Sequence, residues 1–495
     1  MDEYLRQAAR ERPDHPALID AKSGRTWSYA KLNDWADRIA SELTDHDTKP
    51  GDRIGLIMSR SPDAIATVWG VFRANGTLVP LDPGEPAAEI RSRCKRADTH
   101  LCLTSPETSI FDVETDELPV PTVDTTTLAT DSTTDRTEPA QPSRSGNSRA
   151  IDETRVILFT SGTTGTPTGV RLTGRNLGAS AASTVQRLEA NPTDRWLLDL
   201  PLYHAGGLSI PIRTAMLGAT TVLRRSFDAT ETAQAMDEYD ITGASLVPTM
   251  LERLLEEPGV PKSLRFVLVG GAATAPALTK RALENDIPLY TSYGMTETAS
   301  GIATATPAEL QTRPGTVGRP VQAATVSIQD DTDKTVPPGE IGEITVSGPI
   351  VSPGGVDGTE RDPDDHLRTG DRGFLTERGL LVVTGRIDDL IVTGGENVSP
   401  REVAAAIRGT HPVSAVSVLG LPDDEWGERV AAAVVVDETE ASSERMAKTI
   451  RERLRGQLAD YKLPKTVSIL DSLPRTASGT VDRAALRERL LTEET

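Results

Sequence analysis

The sequence predicts an α/β fold: a large N-terminal domain of parallel or mixed sheets wrapped by helices, a small β subdomain within it, and a small α+β domain at the C-terminus. Three observations predict it. Strand and helix patterns alternate from Tyr29 to about Tyr290. Between Thr325 and Val346 the pattern changes to short strands with turn signals (VSIQD, PPGEIGEITVSG). After GRIDD the remaining stretch mixes helix and strand patterns. At 495 residues the chain is well above the size of one hydrophobic core.

The elements follow in order. YAKLNDWADRIASEL reads as an amphipathic helix with Leu32, Ala36, Ile39 and Leu43 on one stripe. DRIGLIM is a short apolar strand. SPDAIATVWGVFRANG is a helix capped by Ser61 and stopped by Gly76. GTLVPLD is a strand and PAAEIRSRCKRADTH a helix. Such turn-taking implies a parallel sheet. Residues 105 to about 150 are polar, rich in Thr, Ser, Asp and Pro, and read as a mobile surface linker inside the first domain. RVILFT, from Arg155, resumes the alternation. The expected domains are 1–387 and 388–495.

Composition bounds the function. Aromatics are 4% of the chain, so the core must be mainly aliphatic. The net charge of −20 repels nucleic acid and anionic membranes, and neither is an expected partner. It also repels polyphosphates, so a phosphate site must be locally basic or built from backbone N–H groups. Arginine outnumbers lysine about fourfold. An acidic, lysine-poor surface suits concentrated salt, where carboxylates hold water and their repulsion is screened, so a halophilic source is expected. Cys94 and Cys102 form neither a disulfide framework nor a metal spacing. With no apolar leader near Met1 and no run of eighteen apolar residues, the expectation is a soluble, cytoplasmic protein. A homo-oligomer is compatible with the sequence.

Several stretches carry chemistry. LFTSGTTGTPTGV, Leu158 to Val170, runs from an apolar strand into a Gly/Thr/Ser loop whose N–H and hydroxyl groups suit phosphate oxygens. It is not the ordinary P-loop, since no Gly-Lys-Ser/Thr follows; alone it is equally a flexible turn. TSYGMTETAS ends a strand at Tyr293, turns at Gly294 and presents Thr296 and Glu297, a pair suited to phosphate and Mg²⁺ or simply to capping a helix. LRTGDRGFL places Asp371 after a tight turn, where a carboxylate suits ribose hydroxyls. GRIDDLIVTGGENVSPREVAAAI sets Arg386 and Asp388 before a strand, a Gly-Gly turn and a helix. Each of the last two is also readable as a turn with an ion pair.

Taken together, in this order and spacing, these motifs resemble the adenylate-forming superfamily of acyl-CoA synthetases, nonribosomal-peptide adenylation domains and beetle luciferases. The resemblance runs from PALID to SGTVDR. It implies an ATP- and Mg²⁺-dependent enzyme that makes an acyl-adenylate from a small carboxylic acid and passes the acyl group to coenzyme A. It also implies roles for particular residues. Thr160, Ser161, Gly162, Thr163, Thr164 and Gly165 would form a loop over the β- and γ-phosphates. Gly270, Gly271 and Ala272 would line the adenine pocket, with Tyr293 on the purine. Thr296 would contact the α-phosphate and Glu297 would hold Mg²⁺. Asp371 would take the ribose hydroxyls, with Arg386 nearby. Asp388 would be the hinge of a mobile C-terminal lid, and His204 would lie between the acyl pocket and the thiol path.

The stretch PLYHAGGLSIPIRTAMLGATTVL is similar to a run in o-succinylbenzoate–CoA ligases of menaquinone synthesis, as is GGENVSPREV. That acid keeps one free carboxylate, which Arg213 facing the pocket would pair. Arg213 on a helix pointing to solvent is the bland alternative. Other aryl- or fatty-acyl-CoA ligases remain open. Two family lysines are absent: Thr168 and Thr480 stand in their places. Loss of the second charge would slow adenylation by roughly 10²–10³. Lys462, Lys465 or Arg475 could substitute, or the chain could be a non-catalytic binder of a nucleotide or acyl-adenylate. Retention of the phosphate loop, Glu297, Asp371 and Arg386 favours a working enzyme.

Overall fold

The computed structural model describes residues 1–105, 120–125, 151–160, 168–257, 261–362, 365–387, 390–393, 396–410, 413–423, 426–436, 443–455, 457–458, 460–475 and 481–492. By packing, the chain divides into two compact units. One is Met1–Val326 with Val346–Leu367; the other is Ser327–Thr345 with Arg368–Thr495. This division differs from the expected boundary after residue 387. The strands Gly342–Ser347, Leu367–Leu375 and Leu381–Arg386 are hydrogen-bonded to one another in one sheet, and packing groups most of that sheet with the C-terminal residues.

The first unit holds two sheets. The larger has nine strands in the order Arg319–Pro320, Ser300–Ala305, Leu289–Met295, Phe266–Val269, Gly243–Leu246, Arg195–Leu198, Thr220–Leu223, Pro16–Asp20 and Arg25–Ser28. The six from Leu289–Met295 to Pro16–Asp20 run parallel, and antiparallel strands close both edges. The second sheet orders Thr122–Asp124, Leu101–Thr104, Arg53–Ile57, Thr77–Leu81, Thr154–Thr160 and Thr168–Thr173, all parallel but the last. Leu101–Thr104 and Thr77–Leu81 are buried at every position, as strands covered on both faces must be.

Helix Tyr29–Asp45 buries the predicted stripe Leu32, Ala36, Ile39 and Leu43, joined by Trp35. It packs on helix Pro62–Arg73, where a Cβ on Gly70 would lie 2.4 Å from Ile39 Cγ2, so only glycine admits this approach. Ser61 caps that helix, its Oγ accepting from Ala64 N at 3.1 Å. The residue that ends the helix is Asn75, at φ 56°, and not Gly76. An amide side chain tolerates the left-handed region, so glycine was not required.

One correction concerns the polar stretch 105–150. Thr122–Asp124 is an edge strand paired in parallel with Leu101–Thr104. β-Branched residues on an edge need few apolar partners, which is why composition hid it. The rest of that stretch lies outside the described residues.

The second unit joins a four-stranded sheet, Thr325–Gln329, Gly342–Ser347, Leu367–Leu375 and Leu381–Arg386, to a five-stranded one. The latter pairs Val413–Asp423 with Gly427–Val436, and Gly427–Val436 with Thr466–Ile469. Val403, Ile407, Val430 and Ile450 fill one of its cores, and Leu419, Leu421, Leu486 and Leu490 another. After Ile391–Thr393 the sequence predicts a Gly-Gly turn and then a helix. The structure inserts the strand Glu396–Val398 before helix Pro400–Thr410.

Asn176 has an outsized structural task. Its Oδ1 accepts from Thr173 N at 2.8 Å, capping helix Gly174–Arg187, while its Nδ2 donates to Pro349 O at 2.9 Å and Val351 O at 2.8 Å. Asn176→Ala removes a cap and strands two carbonyls. We expect a loss of about 2–4 kcal/mol, read as a lower denaturation midpoint.

Candidate active site

Parallel strands place the loops that follow them on one edge, and most of the sequence-predicted residues of the first unit lie there. Strands Phe266–Val269 and Leu289–Met295 are neighbours in register, Val269 opposite Thr291. Gly270–Ala272 therefore emerges beside Ser292 and Tyr293. Gly270 N donates to Leu246 O at 3.1 Å, which ties the loop to the next strand, and Gly271 takes φ 79°. Tyr293 is half-buried.

The strand runs on through Gly294 to Met295, two residues beyond the end expected at Tyr293. A Cβ on Gly294 would lie 1.7 Å from Ser300 O, so glycine is obligatory in this tight return. Thr296–Thr298 forms a single 3₁₀ turn, closed by Thr298 Oγ1 donating to Met295 O at 3.0 Å. Thr296 and Glu297 stand half-exposed on it. Among the described residues no hydrogen bond or ion pair engages the Glu297 carboxylate, and no group of three or more His, Cys, Asp or Glu side chains gathers as a metal site. One unengaged carboxylate suits Mg²⁺, which takes one or two carboxylates and completes its shell with phosphate oxygens and water.

Thr160 ends its strand opposite Thr168, and its hydroxyl donates to Thr168 O at 3.4 Å. Ser161, Gly162, Thr163, Thr164 and Gly165, in the connection between these strands, lie outside the described residues. The hairpin is joined to the Glu297 turn through Ser352, which sequence reasoning missed. Ser352 N donates to Glu297 O at 2.8 Å and Ser352 Oγ to Arg171 O at 2.7 Å. Only a chain brought back from some fifty residues away makes that bridge, and no local pattern announces it.

His204 lies in the loop after strand Arg195–Leu198, at the N-cap of helix Ala205–Leu217. The helix start packs tightly on that loop: a Cβ on Gly207 would lie 2.0 Å from Pro201 O. His204 is exposed, yet neighbouring protein atoms displace part of the water around the imidazole. That desolvation pushes its pKa below 6.5; Asp82 opposes the shift and Arg93 adds to it. The ring meets Tyr203 edge-on, centroids 4.7 Å apart.

Nine residues along the helix, Arg213 does not point to solvent. It is 1% exposed, its Nη2 donates to Ser300 Oγ at 3.2 Å, and its guanidinium lies over the Trp196 ring at 5.5 Å. Its Nε has no partner, and no carboxylate pairs with it among the described residues. Burial alone lowers its pKa to about 9. The Ser300 bond fixes this cation beside the Thr296–Thr298 turn.

In the second unit, Asp371 and Arg386 face each other across an antiparallel pair, Nη1 to Oδ1 3.6 Å. Asp371 is buried, and its N–H donates to Thr369 Oγ1 at 3.1 Å. Lys462 is committed to Glu402, Nζ to Oε1 2.7 Å, and Lys465 sits 4.1 Å from the Trp426 ring centroid. The backbone of Arg475 forms an isolated antiparallel β-bridge with Val481. Asp388 and Thr480 lie outside the described residues.

Comparison with known proteins shows the family. The AMP-binding enzyme family matches residues 5–354, and the AMP-binding enzyme C-terminal domain matches residues 402–480. The 2-succinylbenzoate–CoA ligase of Bacillus pumilus is 33% identical over 491 residues, 98% of this chain and 97% of that protein. Among solved structures, the o-succinylbenzoate CoA synthetase of Bacillus subtilis with its acyl-adenylate intermediate superposes at TM-score 0.86. It is 30% identical and covers 98% of this chain and 97% of its own. The same synthetase with ATP and magnesium ion gives 0.85 at 30% identity, covering 99% of each chain.

Arg213, buried with no carboxylate partner among the described residues, makes a stability test available. Arg213→Met removes an unpaired interior charge while keeping most of the volume. We expect the thermal midpoint of the ligand-free protein to rise; a fall would show that the cation is structurally satisfied.

Proposed function

This chain belongs to the family of AMP-binding, adenylate-forming enzymes, and on that premise we propose that it is an ATP-dependent acid–thiol ligase whose acid is o-succinylbenzoate. It would form o-succinylbenzoyl-adenylate and then o-succinylbenzoyl-CoA, a step of menaquinone biosynthesis. The observation that carries the choice of acid is Arg213, a fully buried cation with a free Nε and no carboxylate partner among the described residues. An acid with a second, unreacted carboxylate supplies the missing counter-charge. A plain fatty acid would leave it unpaid.

The chemistry sets the remaining demands. A carboxylate is a poor electrophile until it has attacked the α-phosphorus of ATP and displaced pyrophosphate. Gly270–Ala272 and Tyr293 hold the adenine at the sheet edge, and Thr296 Oγ1 donates to the α-phosphate. The hydroxyls and N–H groups of Thr160–Gly165 cover the β- and γ-phosphates. Mg²⁺, held by Glu297, would neutralise charge building on the phosphates. Asp371 accepts from the ribose hydroxyls, with Arg386 beside it. Rotation about Asp388 would then exchange the adenylating face of the C-terminal domain for the thiol-admitting one. The thiol approaches past His204, which is neutral at pH 7 because its pKa is depressed.

ATP–pyrophosphate exchange in concentrated KCl, with o-succinylbenzoate and a panel of aryl and fatty acids, tests the reading. Exchange is expected with o-succinylbenzoate. Exchange with fatty acids alone would overturn the choice of acid, and exchange with none would favour a non-catalytic binder. Arg213→Met is expected to raise KM for o-succinylbenzoate at least about 10-fold, with little change for benzoate. Thr480→Lys is expected to raise the exchange rate about 10²-fold by restoring a charge at the α-phosphate. An unchanged rate would show that position 480 does not limit adenylation.

A further inference from the structure

Residues 349–356 run as a strap past the Thr296–Thr298 turn and the strand Thr168–Thr173, and they bond to both. On the strand's side, Arg171 N donates to Gly354 O at 3.0 Å and Val356 N to Gly169 O at 2.8 Å. Val170 and Gly355 form an antiparallel bridge between those bonds. The strap curls at Gly354, which takes φ 132°; a Cβ there would lie 1.8 Å from Thr359 O, so only glycine follows this path. Asn176 pins the other end through Pro349 O and Val351 O.

Ser352 sits in the middle of the strap and serves both neighbours. Its main chain holds the turn, N donating to Glu297 O at 2.8 Å. Its side chain holds the strand. The residue is 1% exposed, and Oγ lies 2.7 Å from Arg171 O and 3.0 Å from Gly354 O while accepting from Gly354 N at 3.0 Å. A hydroxyl has one proton, so it donates to one carbonyl at a time, and the shorter contact is with Arg171 O. The turn needs such a hold. It is three residues long and leaves through Ala299 at φ 56°, a conformation that a residue with a Cβ keeps only where its surroundings impose it. Thr298 Oγ1 and Ala299 N close the turn on itself; the bond that reaches Glu297 from elsewhere in the chain comes from Ser352.

We propose that Ser352 is a positioning residue for metal-assisted nucleotide binding: it fixes Glu297 relative to the strand Thr168–Thr173, so that a divalent cation at Glu297 meets the phosphates of ATP. The inference rests on the reading of Glu297 as the metal-facing carboxylate under the proposed function. Ser352 itself contacts neither metal nor nucleotide and acts through Glu297. The consequence is selective. AMP carries no β- or γ-phosphate, so its binding does not depend on how turn and strand are spaced. The gain that Mg²⁺ gives to ATP binding does. A plain loop anchor would behave differently, weakening the fold and every ligand alike.

The test is titration calorimetry on the full chain in concentrated KCl, with ATP and AMP, each in MgCl₂ and in EDTA. Mg²⁺ should tighten ATP binding to the unmodified protein. In Ser352→Ala that tightening should shrink about 10-fold, the scale expected when a partner behind a metal ligand is lost, while AMP binding stays within about 3-fold. Glu297→Gln should remove most of the tightening, and Ser352→Ala added to it should change nothing further, since both act through one carboxylate. Thr306→Ala supplies a control weakened in stability alone. Thr306 caps helix Pro307–Thr312 after the antiparallel strand Ser300–Ala305, at the opposite edge of the sheet, so its loss should lower the thermal midpoint and leave the Mg²⁺ effect intact. An unchanged Mg²⁺ effect in Ser352→Ala, equal weakening of ATP and AMP, or an additive effect in the double variant would overturn the proposal. If the unmodified chain shows the Mg²⁺ effect but no pyrophosphate exchange with any acid, the ligase reading fails while the role of Ser352 is still decided. Absence of any Mg²⁺ effect in the unmodified chain overturns the role of Ser352 as well.

Discussion

Parallel pairing of consecutive strands is the constraint on which the candidate site of the first unit depends. In the nine-stranded sheet, every strand from Pro16–Asp20 to Leu289–Met295 points the same way. Each must therefore release its following loop on the same edge, whatever the loops contain. Gly270–Ala272, Tyr293, Thr296, Glu297 and His204 are separated by up to 93 residues in the chain yet share that edge. The six-stranded sheet delivers Thr160 by the same rule. Chemistry is then a matter of what those loops carry, since the strands have already settled where they meet.

Close backbone approach is the second requirement, and it explains glycines that no ligand would demand. Gly294 lets the strand before Thr296 fold back on Ser300, and Gly207 lets helix Ala205–Leu217 begin against Pro201. These contacts tie helix Ala205–Leu217 and the Thr296–Thr298 turn to one framework. Ser300 receives Arg213 at 3.2 Å, only three residues after Glu297. Ser352, bonded to Glu297 O and Arg171 O, joins the same turn to the Thr160–Thr168 hairpin. Disturbance at any of these joints reaches several roles at once.

What was legible in the sequence follows from range. Periodicity exposed the helix stripe of Leu32, Ala36, Ile39 and Leu43, because apolar spacing of 3–4 residues is a local property. The return after strand Leu289–Met295 was legible only in outline, since the turn expected at Gly294 falls at Thr296–Thr298. That Arg386 lies near Asp371 was expected only through the resemblance; that they face each other across a strand pair was not legible, since register is set by pairing and bulges and not by spacing. Ser352 was invisible because its meaning lies wholly in partners distant in the chain. The edge strand Thr122–Asp124 was hidden by a polar composition that an edge can tolerate. Arg213 was readable as a candidate only through resemblance; that it is buried without a carboxylate among the described residues is a property of three dimensions alone.

Charge sets the last constraint, and it separates the two positions where lysine is absent. A chain of net charge −20 repels ATP at long range. In about 1 M salt the screening length falls to roughly 3 Å, so that repulsion and any attraction from a solvated lysine both fade. Thr168 begins the return strand of its hairpin and is half-exposed, with its carbonyl already accepting from Thr160, and a lysine there would act largely through water. Little is lost at that position in concentrated salt. A charge that enters a closed site is different, because no counter-ions follow it and its interaction with the α-phosphate is unscreened. Salt cannot replace that contact. Nor do Lys462 and Lys465 stand ready to, the one paired with Glu402 and the other seated on Trp426. On the proposed function, a chain that adenylates its acid at a useful rate would place more of the transition-state charge on the Thr160–Gly165 hydroxyls and on a metal at Glu297 than it would beside a lysine.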